Sequence, residues 1–270
     1  MNLSRTLLTI PLLLVLLVAS CSTDSGVSSD TLDYTAQAQV IYESPSDADE
    51  AAIATDLQEA GDVEALVAFI NETFDLPQPL GIIFGGEDGP LYDPETNEIY
   101  MPYTFLTEVE ERFAAAEYAD SMGVTEEEAT THALMHTLFH ELAHALIAVY
   151  ELPVVGREED AADSLATLLL IEFYEDGQDI AISAADLFDL ESADHAEFDE
   201  EDFWGEHSLD AQRHYSILCH VYGSDPEQYD HIRTDTGFSD DRAELCIEEY
   251  EVLSQNWFLL LEPYMLDAAQ

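Results

Sequence analysis

Lysine is absent from this chain of 270 residues, and all six basic residues are arginine, against 59 aspartates and glutamates. The formal net charge of −53 excludes nucleic-acid binding, because a surface of that sign repels phosphates. Disorder is excluded as well, since 47 % of the residues are hydrophobic and 10 % are aromatic. The chain is therefore an acidic protein with enough apolar residues to build one sizeable core.

The excess of negative charge predicts a protein adapted to salt. At low ionic strength, charges of one sign repel one another across the surface, and a Debye length of about 3 Å at 1 M salt removes most of that repulsion. We therefore expect the melting temperature to rise between low and molar sodium chloride, as in a protein from a halophilic or marine source. A melting series followed by circular dichroism tests this, and an unchanged melting temperature would contradict it.

The apolar run near the N-terminus is shorter than the roughly 20 residues that a membrane-spanning helix needs. Leu7 to Ala19 follows the positive charge of Arg5, a pattern typical of an export signal. The run ends in Val18-Ala19-Ser20-Cys21, which resembles the lipobox of bacterial lipoproteins. The resemblance implies cleavage before Cys21, a lipid anchor on its sulfur and a location at the cell envelope, with export and a free thiol as the alternative.

The rest of the chain is predicted to form one α+β domain. Residues 1–20 are the expected signal peptide, 21–33 a flexible Ser- and Asp-rich tether, and 34–270 the domain. Strands come first and helices later: strands over 34–42 and 80–84, and a hairpin over 91–103. Helices are predicted over 47–74 with a break at Gly61, and over 104–120, 125–150, 157–175, 208–222 and 241–261. The acidic stretch 185–206 is predicted to be a loop, and it lacks the spacing of a calcium-binding loop.

Cysteine is scarce, with three in the chain. Besides Cys21 there are Cys219 and Cys246, and in an exported protein two such thiols usually pair. No CxxC or CxH spacing supports a cysteine metal site. We therefore expect a structural disulfide between Cys219 and Cys246.

The segment that points to chemistry is His140-Glu141-Leu142-Ala143-His144, inside an apolar run. Histidines four residues apart share one face of a helix, so both can reach one zinc ion at about 2.0–2.1 Å. Glu141 follows the first histidine, where it can take a proton from a water activated by the metal. A core helix with satisfied histidines is the alternative, but burying two histidines and a glutamate is costly unless they bind something.

His132 and His136 continue the same helical stripe upstream. Thr137, and not a glutamate, follows His136, so the pair His136/His140 lacks a base. We interpret His132 and His136 as supporting or surface residues, with a second metal contact as the alternative.

The third protein ligand is expected from the next helix. Pro153 and Gly156 let the chain reverse, so that the helix after them can pack antiparallel to the first. Glu159 and Asp163 share one face of that helix, which lets Glu159 bind the metal while Asp163 accepts the outer ring N–H of a ligand histidine. Alternatively, the acidic cluster only favours the start of the helix, the role expected for Glu158 and Asp160.

With these residues in place, the chain resembles the zincin metallopeptidases that use a glutamate ligand, such as the thermolysin-like enzymes. It also resembles, from about residue 34 on, a bacterial metallopeptidase family of unknown function. The segments that carry this second resemblance are LYDPETNEIYMPY, HELAHALIAVYELPVVGREEDAADSLATLLL, EHSLDAQRHYSILCHVYGSDP and RAELC. The resemblance implies a zincin-like fold and Zn²⁺ held by His140, His144 and Glu159. The spacing from His144 to Glu159 is shorter than in thermolysin, so that enzyme's pocket is not carried over.

The expected activity is hydrolysis of peptide bonds, with Glu141 as general base and a donor that stabilises the oxyanion. The candidates for this donor are His207, Arg213, His214 and Tyr215, and His207 is preferred. The strand over 98–103 is expected to line the cleft and to bind an extended substrate. A different class of function stays open: a lipid-anchored zinc-binding scaffold with little turnover. The expected partners of the peptidase are a peptide or protein substrate and, through the lipid anchor on Cys21, the membrane, and a monomer is the default expectation.

Overall fold

The structure, a computed structural model, describes residues 37–87, 89–194, 198 and 200–266. The expected signal peptide, Cys21 and the tether lie outside the described residues. A four-stranded sheet comes first and is followed mainly by helices, which confirms the predicted α+β class. Among the described helices, none is both long and apolar enough to cross a bilayer.

The sheet has the order β1-β2-β4-β3, with β3 at one open edge. Strand β2 pairs in parallel with both β1 and β4, and β3 and β4 form the predicted antiparallel hairpin. All five residues of β2 are buried, as an unbroken apolar run in a central strand requires. The strands are β1 (Ala38–Tyr42), β2 (Leu80–Phe84), β3 (Leu91–Asp93) and β4 (Glu98–Met101).

The described part of the chain contains ten α-helices, and seven of them correspond to predicted helices. The helix predicted over 104–120 ends at Ala115, and a separate short helix follows it. The predicted helix over 47–74 is divided at Gly61, whose φ of 78° is the left-handed conformation that glycine adopts easily. In chain order they are α1 (Ala48–Ala60), α2 (Asp62–Thr73), α3 (Tyr103–Ala115), α4 (Tyr118–Met122), α5 (Glu126–Val149), α6 (Glu158–Phe173), α7 (Gly177–Ser192), α8 (Asp210–Ser224), α9 (Asp230–Thr236) and α10 (Asp240–Leu261).

The prediction of a loop over 185–206 is wrong in its first part, because α7 continues to Ser192. The acidic residues of α7 are interspersed with Ala181, Ala184, Ala185 and Leu187, all of which are buried. The prediction from acidic composition therefore missed an amphipathic helix. Helix α9 was not predicted either, since its short sequence carries little apolar periodicity.

Helix α5 lies at the centre of the packing. It contacts α3, α6 and α7 as well as strands β3 and β4, and most of its residues are buried. The main core cluster joins the sheet, α2, α5 and α6, and a second cluster joins α7, α8, α9 and α10. A helix surrounded in this way presents fixed side chains to the space between the sheet edge and the later helices.

The predicted disulfide between Cys219 and Cys246 is present and links α8 to α10. Both cysteines are buried, and Gly223 on α8 lies against the backbone carbonyl of Cys246, where a side chain would not fit. The two helices therefore approach closely around this bond.

Removing the disulfide should destabilise the domain. The bond closes a loop with a sequence separation of 27 residues, which corresponds to about 3–4 kcal/mol of unfolding free energy on the chain-entropy estimate. We expect the C219S/C246S variant to lose about this amount in urea unfolding. A reducing agent should destabilise the wild type and leave the variant unchanged; equal stability of the two proteins would contradict the prediction.

Candidate metal centre

Helix α5 holds the histidines and the glutamate of the HELAH segment. Thr125 caps the N-terminus of this helix, because its hydroxyl accepts a hydrogen bond from the N–H of Glu128. Fifteen residues later the helix is surrounded by protein, and the exposed fractions of His140 and Glu141 are 5 % and 7 %. Three polar side chains on a buried, capped helix are fixed in direction, which is what a preformed site needs.

Helix α6 runs antiparallel to α5, as predicted, so that residue numbers rise along one helix as they fall along the other. His144 lies opposite Glu158 and Glu159 at the start of α6, and His140 lies opposite Asp163 one turn further on. The bend between the helices is at Gly156, which has a φ of 129°. The antiparallel packing of α5 and α6 places Glu159 and Asp163 beside the histidines with which they were predicted to interact.

The donor atoms of His140, His144 and Glu159 form a nearly equilateral triangle. The two Nε2 atoms are 3.1 Å apart, and Oε2 of Glu159 is 3.1 Å from Nε2 of His140 and 3.3 Å from Nε2 of His144. In tetrahedral zinc with ligands at about 2.0–2.1 Å, two ligand atoms are about 3.3–3.4 Å apart. Two imidazoles and one carboxylate at this spacing fit a zinc ion.

The outer ring nitrogens of the two histidines are also held. Nδ1 of His140 donates to Oδ1 of Asp163 at 2.8 Å, and Nδ1 of His144 donates to Oε1 of Glu158 at 2.9 Å. With the proton on Nδ1, the lone pair of each Nε2 points to the centre of the triangle. The tautomer that a metal ligand needs is therefore the one that the surroundings favour.

The electrostatic field around the triangle favours a positive charge. Burial by itself would lower the pKa of His140, but the hydrogen bonds to Asp163 and Glu159 raise that pKa to about 9. Burial would raise the pKa of Glu159, and the contacts with His140, His144 and His207 bring it well below its usual range. Carboxylates that attract a proton so strongly attract a divalent cation in the same place, and the two compete for it.

Asp163 is paired on its far side with Arg213 from α8. The Nε atom donates to Oδ2 at 2.7 Å and Nη2 donates to Oδ1 at 2.8 Å, a two-point contact between largely buried side chains. The guanidinium also lies 3.9 Å above the ring of Phe188. Burial would raise the pKa of Asp163, but Arg213 and His140 lower it well below its usual range, so Asp163 stays ionised. A chain of contacts from Arg213 through Asp163 thus fixes the ring of His140.

Glu141 faces a cleft of about 810 Å³ that is bounded by the edge of the sheet. Its pKa is raised by burial, and the nearby His140, His144 and the backbone N–H of Tyr92 oppose that rise. Tyr92 belongs to β3, so the cleft is lined by the edge strand. The expectation that the strand over 98–103 lines the cleft is wrong, because β4 pairs on both sides and β3 covers it.

His207 reaches the triangle from the segment before α8. Its Nε2 lies 2.8 Å from Oε2 of Glu159, and its ring is nearly parallel to that of His140, with the centroids 6.1 Å apart. The other candidates for the oxyanion donor point elsewhere. Arg213 binds Asp163, His214 is buried against the carbonyl of Ala185, and Tyr215 is exposed.

His132 and His136 have partners away from the triangle. Nδ1 of His132 is 2.9 Å from the hydroxyl of Ser183, and Nε2 of His136 is 3.3 Å from the hydroxyl of Thr167. Burial lowers the pKa of His136 to about 4, so its ring is neutral at ordinary pH. The two histidines thus support the packing of α5 against α6 and α7.

Several residues of the site were not foreseen in these roles. Glu158 was expected only to favour the start of α6, yet it accepts the outer N–H of His144. Arg213 was predicted only as a candidate donor to the oxyanion, and Tyr92 only as part of the hairpin. The sequence did carry a signal for Glu158. It precedes the proposed ligand Glu159 at the start of α6, where α6 lies against the end of α5. No spacing in the sequence indicates the contacts of Arg213 and Tyr92, which come from distant segments.

No match was found among characterised proteins or among solved structures. A family model with the description "Putative metallopeptidase" matches residues 42–261, which include every described residue of the triangle, the cleft and the disulfide. The chain belongs to this family.

Proposed function

We propose that the protein is a zinc-dependent metallopeptidase, with the ion held by His140, His144 and Glu159. The observation that carries this proposal is the triangle of donor atoms, with sides of 3.1, 3.1 and 3.3 Å. The family description supports a peptidase in general terms. When bound, zinc would lower the pKa of a water molecule towards about 7 and polarise the carbonyl of the scissile bond.

Glu141 would act as the general base and then as the general acid. It would take the proton of the attacking water and deliver it to the leaving amine. Two features support this role: the carboxylate lines the same cleft as His140 and His144, and burial raises its pKa, which makes it a better proton acceptor than an exposed glutamate. A glutamate in this position has no use in a purely structural metal site.

The substrate would lie along β3. This strand pairs with β4 on one side only and faces the cleft with its other side, through Leu91 and Tyr92. The outward backbone groups of an edge strand can pair with an extended peptide. Because the backbone N–H of Tyr92 meets Glu141, a peptide along β3 would lie beside that carboxylate. His207, which contacts Glu159 and lines the same cleft, would donate its Nε2–H to the oxygen that becomes negative as the bond is attacked.

We place this activity at the cell envelope, anchored by a lipid on Cys21. The support is the N-terminal pattern from Arg5 to Cys21, and a two-chain or three-chain lipid would make the attachment stable. The strongly acidic composition fits an exported protein that works at high salt.

Metal analysis combined with a chelator experiment tests the proposal. The purified protein should contain about one zinc ion per chain and should cleave a quenched fluorescent peptide library. A chelator should abolish cleavage, and zinc should restore it after the chelator is removed. A protein that contains no divalent metal after exposure to zinc, or that cleaves equally well with the chelator present, would overturn the proposal.

A further inference from the structure

Oε2 of Glu159 is surrounded by three imidazoles and not by two. Nε2 of His140 lies at 3.1 Å, Nε2 of His144 at 3.3 Å and Nε2 of His207 at 2.8 Å. The ligand atoms of His140, Glu159 and His207 also lie within 4.8 Å of one another. A fourth possible donor therefore lies beside the triangle, in contact with Glu159.

The position of His207 is built by the same turn of α6 that supplies Glu159. Nη1 of Arg157 donates to the carbonyl oxygen of His207 at 2.8 Å. The hydroxyl of the next residue, Ser208, donates to Oδ1 of Asp160 at 2.6 Å. These two contacts are made by residues on either side of Glu159, and they hold the segment around His207 against the site. The ring of His207 is therefore positioned by the fold.

The same residue is also able to leave. The side chain of His207 is 51 % exposed, whereas that of His140 is 6 % exposed and that of His144 is 11 % exposed. His207 belongs to the segment between the short 3₁₀ turn Glu201–Phe203 and α8, and not to a helix. The contact with Arg157 is to the backbone of His207 and the contact with Asp160 is to Ser208, so the ring could turn away by side-chain rotation without any change in α5 or α6.

We propose that His207 is a fourth, displaceable ligand of the ion, which closes the site in the resting protein. This inference rests on the proposed function, since it requires the ion to be held by His140, His144 and Glu159. Structural zinc sites have four protein ligands, and catalytic sites keep one position open. The resting protein therefore has three imidazoles and one carboxylate on the ion, and an entering peptide must displace His207 before hydrolysis. A coordinating Nε2 carries no proton, so after displacement the half-exposed ring must take one up at Nε2 from water before it can donate to the oxyanion.

X-ray absorption spectroscopy of the zinc-loaded wild type tests the inference without any substitution. Multiple scattering from the rings counts imidazole ligands, and we expect three in the resting protein. Two imidazoles would overturn the inference and leave the proposed three-ligand centre intact.

Metal affinity of three variants provides the second test, measured by competition with a chelator. H207A should bind zinc roughly tenfold or more weakly than the wild type, since the loss of even an outer partner of a ligand costs 10–100-fold. H231A changes an exposed histidine on α9 and should bind as the wild type does. H144A should lose more affinity than H207A. If H207A matches H231A while H144A is impaired, the inference fails alone; if H144A also binds normally, the proposed centre fails with it.

Discussion

Replacing Glu141 by glutamine is expected to lower kcat/KM for peptide cleavage by roughly 10²–10⁴-fold, the range that a positioned general base contributes. Glutamine has the same shape but cannot accept a proton from water. The exposed fraction of Glu141 is 7 %, and burial raises its pKa, as suits a proton acceptor. The zinc content of the variant should equal that of the wild type, since Glu141 is not a member of the donor triangle.

Glu127 offers a matched control for this experiment. It lies on the same helix α5, has the same side chain and is exposed. E127Q should keep both zinc and activity, which separates a general loss of negative charge from the loss of the base. If E141Q keeps its zinc and cleaves peptides at the wild-type rate, Glu141 is not the base, and the alternative of a zinc-binding scaffold with incidental turnover becomes the better description.

The elements that could be predicted are those whose pattern is local. Helix α5 carries its own cap at Thr125 and a continuous apolar sequence, and β2 is an apolar run between proline and glycine residues. The elements that were missed depend on context. Helix α7 contains many acidic residues that are tolerated because its alanines are buried against α5 and α8. Composition alone therefore gave a wrong prediction for α7.

The candidate site divides in the same way. His140, His144, Glu159 and Asp163 come from one antiparallel helix pair, so their spacing along the chain determines which side chains meet. The order of the strands depends on long-range pairing, which no short segment specifies. For that reason β4 was expected at the cleft, whereas the edge of the sheet is β3 with Tyr92. Arg213 and Asp163 are 50 residues apart in the chain, so their contact also depends on long-range packing that no short segment specifies.

Replacing Arg213 by methionine is expected to lower the free energy of unfolding by about 3–5 kcal/mol, the cost of removing one partner from a buried ion pair. Methionine keeps much of the volume beside Phe188 but leaves the carboxylate of Asp163 with Nδ1–H of His140 as its remaining partner among the described contacts. The second expected effect is a loss of zinc affinity of roughly 10–100-fold, because the group that orients His140 is no longer held. Urea unfolding of the metal-free protein measures the first effect, and chelator competition measures the second.

Arg233 supplies the comparison for this substitution. It pairs with Asp230 and Asp240 at the surface, where solvent and salt screen the attraction, so R233M should change stability far less than R213M and should leave zinc affinity unchanged. The double variant R213M/D163N removes the charge that R213M leaves unpaired. It should therefore regain part of the lost stability but not the zinc affinity, because an amide in place of the carboxylate of Asp163 cannot hold His140 with a full negative charge. Equal effects of R213M and R233M on both measurements would show that the contact between Arg213 and Asp163 neither stabilises the domain nor positions His140.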